Sequence, residues 1–516
     1  MKTKYIFVAL MALTTLPSAA QETYENTKMV EDELNGTARY VGMGGAMDAL
    51  GADISTLASN PAGIGLFRRS ALNVSGSLVM QTNGEKFAGE GLTRASLDQL
   101  GFVYAVKNNS KSYINFAFNY HKSKNFAQIL SASDKLENAS QNKLTALKYA
   151  YGKELPAKHA ELMWNAIDNL YSQALPYDSI ADLFEYVSAD YYSFNRSSKG
   201  YIGEYDFNIS GNINNRVYLG LTVGLHQVHY QDYSEYMEHL VSGEDIVIAD
   251  NRMITGAGAD IKLGVIFRPV ATSPFRIGLS VATPTWYDLT TEGQTGLYDA
   301  RTGESFTEKT ANSRYEFKLN TPWKFGLSLG HTVGSYLALG ASYEYAAYQN
   351  MDTHVIEGYE YDYWYGDAYS VSNSDRAMNE HTQETLKGVS TLKLGLEYKP
   401  VPELALRAGY NFLSPMYDMK GDKDGTLLSN GSCYASSTDY TNWKATNRLT
   451  LGAGYTVKNW NFDLAWQMTV KKGEFSPFIP YYGAADNSPH PDDNVADIVA
   501  VKHNRSQLLL SIGYRF

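Results

Sequence analysis

The end of the chain decides the fold; it reads Arg505-Ser506-Gln507-Leu508-Leu509-Leu510-Ser511-Ile512-Gly513-Tyr514-Arg515-Phe516. Side chains of a β-strand point alternately to two faces. One face carries Gln507, Leu509, Ser511, Gly513 and Arg515, which are small or polar apart from Leu509, and the opposite face is apolar. The pattern therefore predicts a membrane-crossing strand with lipid on one face and a polar lumen on the other. The residues of the apolar face are Leu508, Leu510, Ile512, Tyr514 and Phe516.

The same alternation recurs in segments 216–226, 261–268, 392–398 and 448–457. A soluble, Tyr-rich sandwich would need polar outward faces, so the pattern favours an all-β transmembrane barrel. Six short connections alternate with seven long ones, which predicts about fourteen antiparallel strands. The short connections are Lys107–Lys111, Gly211–Asn215, Pro269–Pro274, Thr332–Ser335, Lys399–Glu403 and Lys458–Trp460; the long ones are 81–97, 122–199, 233–251, 287–311, 350–385, 414–443 and 472–504.

Two details of this barrel carry their own expectations. Splitting 312–332 at Thr321-Pro322 would break the alternation of connections, so we expect one kinked strand there, although Pro usually marks an edge or a bulge. In loop 122–199, apolar residues recur at helical spacing, which predicts short helices on the outer rim. These helices either pack on themselves or collect a ligand.

Residues 1–20 read as a secretory signal peptide. Two lysines precede a short apolar run from Tyr5 to Leu13, and small residues follow at Ser18, Ala19 and Ala20. The single cysteine, Cys433, supplies no internal disulfide framework. The net charge of −11 argues against nucleic acid as a partner.

Residues 21–69 match neither the signal nor a strand. Glycines and Asn60-Pro61 predict turns, with short helices at Ala46–Leu50 and Ile54–Ser59. We expect this compact segment to fold back into the lumen of the barrel, which then comprises residues 70–516.

This segment resembles the hatch of the FadL/TodX family of outer-membrane hydrocarbon and fatty-acid transporters. The resemblance lies in Gly42-Met43-Gly44-Gly45-Ala46, Asp53, Ala58 and Asn60-Pro61-Ala62-Gly63, just after a signal peptide. A final strand that ends on an aromatic residue also resembles what outer-membrane barrels present to their assembly machinery, here through Phe516.

The resemblance implies a multi-pass protein of the bacterial outer membrane, surrounded by lipid and lipopolysaccharide, that needs no cofactor. It implies passive, hatch-gated diffusion of a hydrophobic small molecule, such as a long-chain fatty acid. The gating residues would be Gly42, Met43, Gly44, Gly45, Asn60, Pro61, Ala62 and Gly63. Some members release the ligand sideways at a kink in the third strand, but Ser112–His121 contains no glycine or proline to mark one.

A fatty acid needs a cation for its carboxylate. The parity of the strands places Arg216, Lys262, Arg407 and Arg448 on the lumen side. The alternative is that these cations pair with lumen carboxylates such as Asp260 and Glu397, or with the plug, because barrel interiors are polar.

No catalytic or metal site is expected. Gly326-Leu327-Ser328-Leu329-Gly330 matches GxSxG, but it alternates like a strand and lacks the strand-to-helix elbow that exposes a nucleophile. His226 and His229 would face opposite sides of a strand. The competing hypotheses are a structural or adhesive barrel whose loops bind a partner, and a hydrolase, for which no triad is visible.

Overall fold

The computed structural model describes residues 23–109, 111–303, 310–363, 366–425, 427–429, 431, 436–483 and 490–516. The predicted signal peptide therefore lies outside the described residues. The first and last strands pair in register, from Ala71 opposite Arg515 to Gln81 opposite Arg505. This pairing closes the sheet into an antiparallel barrel of fourteen crossings and removes its edges.

Several crossings consist of two consecutive strands. The third crossing is β3 followed by β4, the seventh is β8 followed by β9, and the eighth is β10 followed by β11. The hairpin β13–β14 extends the wall beyond the ninth and tenth crossings. The strands are β1 Ala71–Gln81, β2 Thr93–Lys107, β3 Tyr113–Asn125, β4 Gln128–Lys135, β5 Ala189–Ile213, β6 Val217–Leu240, β7 Asp245–Phe267, β8 Arg276–Ala282, β9 Trp286–Asp299, β10 Thr310–Asn320, β11 Lys324–Val333, β12 Leu337–Ala347, β13 Asp352–Asp362, β14 Asp367–Ser374, β15 Gly388–Val401, β16 Leu404–Leu413, β17 Tyr440–Val457, β18 Trp460–Ser476 and β19 Val499–Arg515.

The predicted alternation of faces is confirmed. In β6, Leu219, Leu221 and Val223 are exposed on the outer surface, whereas Tyr218 and Thr222 are buried in the lumen. The helices of the described residues are all too short or too polar to cross a membrane.

The predicted kink at Pro322 is also confirmed. β10 and β11 belong to one crossing, interrupted at residues 321–323, and the neighbouring crossing is interrupted at 283–285 by Pro284. Proline has no N–H for the ladder. The two breaks support each other, because Thr321 N donates to Thr285 O at 3.1 Å and Thr285 N donates to the Thr321 hydroxyl at 2.8 Å.

The loops are shorter than predicted. The loop expected at 122–199 is reduced to 136–188, and the one expected at 233–251 is a tight turn between Leu240 and Asp245. The strands continue past the apolar belt, where outward side chains of β6 such as Gln231 and Glu235 are polar while Tyr236 and Leu240 on the inner face are buried, so the apolar-out alternation fades. Residues 136–188, here called the loop cap, contain the predicted helices α3 Gln141–Gly152, α4 Ala157–Met163 and α5 Ala166–Ser172.

The N-terminal segment lies inside the barrel. It contains α1 Thr23–Val30, α2 Ala38–Gly42 and 3₁₀ turns at Ile54–Ala58 and Pro61–Leu66. α1 contacts α6 Arg376–Thr385 in a long loop, so residue 23 lies at the long-loop end of the lumen. The chain then descends, and Arg68 binds Asn215 in a short turn at the opposite end. We call residues 23–69 the plug.

The lipid-facing stripe gives a direct stability test. Leu451→Arg places a charge near the middle of the outer face of β17, and we expect it to cost about 2–4 kcal/mol of unfolding free energy. Val457→Arg, on the same face at the strand end, is the matched control and should cost about 0–1 kcal/mol. Denaturant titration in lipid vesicles measures both; equal costs would contradict the assignment of this face to lipid.

Candidate functional site: the plugged lumen

The GMGGA stretch gives the plug a tight turn against the wall. Gly44 and Gly45 have φ values of +61° and +79°, in the left-handed region that glycine adopts most readily. The Thr37 hydroxyl begins α2 by accepting from Tyr40 N at 3.1 Å. Gly42 lies so close to Gly452 of β17 that a Cβ on Gly42 would be 3.2 Å from the Cα of Gly452.

The NPAG stretch is fixed by hydrogen bonds at its ends. The Asn60 side chain accepts from Ala62 N at 3.2 Å and begins the last 3₁₀ turn. Pro61 O accepts from the Ser210 hydroxyl of β5 at 2.9 Å, and Gly63 O accepts from Ala52 N at 3.0 Å. The contact with Ser210 joins this stretch to the wall, and the other two fix it within the plug.

The wall meets the plug with glycines on its lumen face. Gly330, Gly340, Gly395 and Gly409 are paired in succession across four neighbouring strands. A Cβ on Gly340 would overlap the carbonyl of Ala46, and one on Gly395 would overlap that of Met43. The sequence carries this signal, because the glycines share the lumen parity of their strands. Further plug-facing glycines are Gly220, Gly264, Gly278 and Gly452.

Three consecutive acids, Glu31–Glu33, form an acidic strap across the lumen. Glu31 pairs with Lys124 at 2.9 Å and also with Lys471. Asp32 pairs with Lys324, and Glu33 with Arg505. The strap is thereby tied to four separate crossings of the wall.

The strap carries charge at neutral pH. Burial alone would raise the pKa of the Glu31 carboxyl, but Lys124 and Lys471 outweigh it and hold that pKa well below its usual range. In α1, Arg252 and Lys28 likewise overcome burial and hold the pKa of Glu25 below its usual range. The plug is therefore held electrostatically as well as by its shape.

The strap separates two cavities. One, of about 160 Å³, lies between the strap and the lower plug, and Tyr40, His121 and Tyr287 are among its lining residues. The other, of about 130 Å³, lies beside α1 and is lined by many charged and polar side chains together with aromatic ones such as Phe126, Tyr417 and Trp443. Both are smaller than typical ligand pockets of roughly 300–1,000 Å³.

The four candidate carboxylate-binding cations differ in their partners and in their exposure. Arg407 pairs with Glu397 and Asp463 at 2.6 Å each, and Lys262 pairs with Asp260 at 3.2 Å, as the alternative interpretation expected. Arg216 is exposed at the short-turn end and donates to Pro269 O.

Arg448 differs from the other three candidates. Within the described residues it has no ion pair with a carboxylate side chain; it donates to Asn411 and to the backbone carbonyl of Asp32, each at 2.8 Å. It lines both cavities.

A buried charged cluster beside the lower cavity was not predicted. Lys262 contacts Glu204, Asp206 and Asp260, and His121 and His226 border the same carboxylates. His and carboxylate atoms here are spaced as metal ligands could be. The Lys262 ammonium already lies between the three carboxylates, so an ion pair network describes the group. His229 takes no part in these contacts; the separation of His226 from His229 was correctly expected.

The wall parts near the third crossing without a kink residue. β2 and β3 pair only up to Gln99 opposite His121, and beyond that point β3 pairs with β5 alone. Asn35 of the plug fills the seam by donating to Asp98 at 3.2 Å and to Lys122 O at 3.1 Å. β2 and β3 therefore separate at this point although Ser112–His121 contains no glycine or proline.

The GxSxG serine lies within a regular strand. Ser328 is buried on the lumen face of β11, opposite Gly278 of β8 and Ser342 of β12, with no elbow around it.

The fold is that of a plugged outer-membrane barrel. The structure is similar to the Ralstonia pickettii toluene transporter TbuX, with a TM-score of 0.50 and 12% identity over 94% of this chain and 99% of that chain. A Pseudomonas aeruginosa FadL homologue and the P. putida toluene transporter TodX follow, with TM-scores of 0.48 and 0.47 and 12% identity, again over 94% of this chain and 99% of theirs. No protein-family model and no curated protein matches the sequence.

The likeness to TbuX confirms the FadL/TodX resemblance at the level of the fold. The barrel fold points to a bacterial outer membrane.

The four paired glycines of the wall, Gly330, Gly340, Gly395 and Gly409, here called the glycine row, predict where an added side chain displaces the plug. Gly340→Ala should overlap the Ala46 carbonyl and cost about 1–3 kcal/mol through overpacking. Limited trypsin digestion should then cut the plug at Lys28 and Arg39 faster than in the native protein. Gly211→Ala is the control, because its Cβ would lie 4.0 Å from the nearest atom, Tyr113 O; equal digestion of both variants would contradict the proposed contact.

Replacing Lys262 in the charged cluster should lower the free energy of unfolding strongly. Lys262→Met leaves three buried carboxylates without their ammonium and should cost about 3–5 kcal/mol. Arg216→Met removes an exposed cation and should stay within about 0.5 kcal/mol. Guanidinium unfolding measures both. An unchanged free energy of unfolding in Lys262→Met would show that the three carboxylates are not ionised in the cluster.

Proposed function

We propose that this protein admits hydrophobic small molecules, such as long-chain fatty acids, across the outer membrane by passive, hatch-gated diffusion through the barrel. The observation that carries the proposal is the acidic strap, which lies between two cavities of the lumen that a ligand would have to join. The name of TbuX, a toluene transporter with the same fold, agrees with this proposal.

The chemistry of the upper lumen supports a hydrophobic cargo. Buried aromatic and aliphatic side chains face inward here, where barrel interiors are ordinarily polar. An aqueous pore would offer no advantage to a molecule that prefers hydrocarbon, whereas an apolar lining lowers its free energy along the route. Transport then needs only the ligand's own gradient.

The gating residues act in this proposal as the fixed base of the hatch, above which the upper plug moves. Gly42–Gly45 and Asn60–Gly63 hold the lower plug against the wall, while the strap holds its upper part. Arg448 lies between the two cavities and has a guanidinium free of carboxylate side chains in the described residues, which suits it to receive a ligand carboxylate as it passes. This makes Arg448 our preferred candidate among the four.

The alternative is a structural or adhesive barrel whose loops bind a partner. The loop cap favours it through one observation: Ile180 is 96% exposed, and Tyr177 and Leu183, three residues away on either side in the sequence, are exposed as well. A barrel of this kind would need no plug movement, so uptake measurements distinguish the two functions.

Weakening the strap should increase transport. In Glu31→Gln/Asp32→Asn/Glu33→Gln, the four cations of the wall lose their partners and the plug loses its electrostatic hold. We expect uptake of radiolabelled oleate to rise several-fold in cells that lack other carriers of this class.

The control for this experiment is Glu137→Gln, which neutralises an exposed acid of the loop cap. Uptake that is no higher with the native gene than without it would favour the adhesive barrel. Uptake that is present but unchanged by the triple variant would show that the strap does not gate.

A further inference from the structure

The short-turn end of the barrel carries an uneven distribution of charge. The chain as a whole is acidic, with a net charge of −11. Three of its short-turn segments, 107–113, 211–217 and 267–276, nevertheless contain five cations and no acidic residue. The other three, 332–337, 398–404 and 457–460, contain two lysines and one glutamate. The five cations, together with Arg68 at the end of the plug, are here called the basic rim: Arg68, Lys107, Lys111, Arg216, Arg268 and Arg276.

Hydrogen bonds join the three turns of the basic rim into one continuous surface. The Asn212 side chain donates to Lys111 O at 3.2 Å, which connects the first turn to the second. Arg268 N donates to Arg216 O at 2.8 Å, and the Arg216 guanidinium donates to Pro269 O at the same distance, which connects the second turn to the third. The cations of neighbouring turns therefore lie side by side.

The plug contributes to this surface through Asn215. Arg68 Nη2 donates to the Asn215 side-chain oxygen at 2.6 Å, and Arg268 Nη1 donates to the Asn215 carbonyl at 3.3 Å. The Arg68 guanidinium also lies over the ring of Tyr113, 4.6 Å from its centroid. Two guanidinium groups, one from the plug and one from the wall, thus bind the same residue.

The basic rim is not neutralised by acids of the described residues. None of its six cations forms an ion pair there, and its arginines donate to carbonyl and amide oxygens instead. Arg276 is half-buried and donates to Leu50 O at 2.8 Å, but its Nε has no hydrogen-bond partner among these residues. Arg268 and Arg68 both repel it. Like charges brought together in this way destabilise a folded chain unless anions compensate them.

The basic rim lies at the edge of the lipid-facing belt. Val106 and Phe267 expose their side chains on the outer face at the ends of β2 and β7. Lys107 and Arg268 follow them directly, about 3.4 Å further along the chain. Short turns of outer-membrane barrels face the periplasm. The charges are therefore at the height where the phosphates of the periplasmic leaflet lie.

We propose that the basic rim binds the phosphate groups of anionic phospholipids in the periplasmic leaflet of the membrane. This inference does not depend on the transport proposal. Arginine binds phosphate through two parallel hydrogen bonds, and lysine supplies a compact positive charge. Basic residues beside a membrane surface each add to the attraction of anionic lipid. Such a lipid supplies the negative charge that the described residues around the rim lack.

The position of the cations favours a lipid over a soluble acidic protein. They follow the membrane boundary across three neighbouring hairpins rather than gathering at the tip of one turn. Exposed apolar side chains adjoin them, including Val106 beside Lys107 and Ile213 in the second turn. A phospholipid satisfies both features, because its phosphate binds the cations while its acyl chains cover the apolar side chains.

The test titrates the full exported chain in detergent with phosphatidylglycerol or with zwitterionic phosphatidylethanolamine and counts bound lipids by native mass spectrometry. Lys107→Gln/Lys111→Gln/Arg216→Gln should weaken phosphatidylglycerol binding by about tenfold or more, because three charges are lost, and should leave phosphatidylethanolamine binding unchanged. Lys107→Arg/Lys111→Arg/Arg216→Lys keeps the charge and should bind phosphatidylglycerol as the native protein does.

The matched control is Lys86→Gln/Lys135→Gln/Lys502→Gln, which removes the same charge from exposed positions at the long-loop end and should bind as the native protein does. Equal affinity of the native protein and the neutralised rim for phosphatidylglycerol would overturn the proposal. Glycerol 3-phosphate that binds as tightly as the phospholipid would also overturn it, because the rim would then be an ion site.

A photoreactive benzoylphenylalanine at Thr272, an exposed residue of the third turn, extends the test to intact cells. We expect it to cross-link to phospholipid. Cross-linking to a periplasmic protein instead would assign the rim to a protein partner and overturn the lipid proposal. Uptake of hydrophobic compounds enters none of these measurements, so their failure leaves the transport proposal standing.

Discussion

The pairing of the first and last strands, from Ala71–Arg515 to Gln81–Arg505, is the constraint on which the rest of the structure depends. In lipid, each backbone N–H and C=O must find a partner inside the protein, and a closed ladder is the way strands achieve this. Closure at fourteen crossings leaves a lumen that the side chains of the wall do not fill. The plug, the glycine row and the buried ion pairs are consequences of that width.

The plug is held by two kinds of contact that differ in how easily they can be undone. Below the strap, backbone lies directly against glycines such as Gly340 and Gly395, so small displacements cost packing. At the strap, and at Glu25 and Asn26 of α1, polar and charged groups make the contacts, and water can replace many of these partners. The lower plug is therefore suited to sealing the barrel, and the segment 23–33 is suited to moving.

The sequence predicted the wall well and the interior poorly, for one physical reason. Lipid imposes a strict alternation, so the strands, the kink at Pro322 and the number of crossings could be predicted from it. Beyond the lipid the outward side chains become polar while buried apolar ones face inward, and the ends of β5 and β6 were therefore missed. The interior depends on contacts between distant residues, such as Glu31 with Lys471, which no local pattern encodes. Among the cations, parity found the lumen face for Lys262, Arg407 and Arg448 but was wrong for Arg216, which lies in an exposed turn just before β6. Parity also could not show that Lys262 and Arg407 are paired.

The central claim is that the upper plug moves when a hydrophobic ligand enters. Hydrogen exchange of the backbone amides, followed by mass spectrometry in lipid nanodiscs with and without oleate, tests it most directly. The account predicts faster exchange in residues 23–36 when oleate is present, with residues 42–66 and the wall unchanged. Unchanged exchange throughout the plug, under conditions where oleate is shown to be bound, would contradict it.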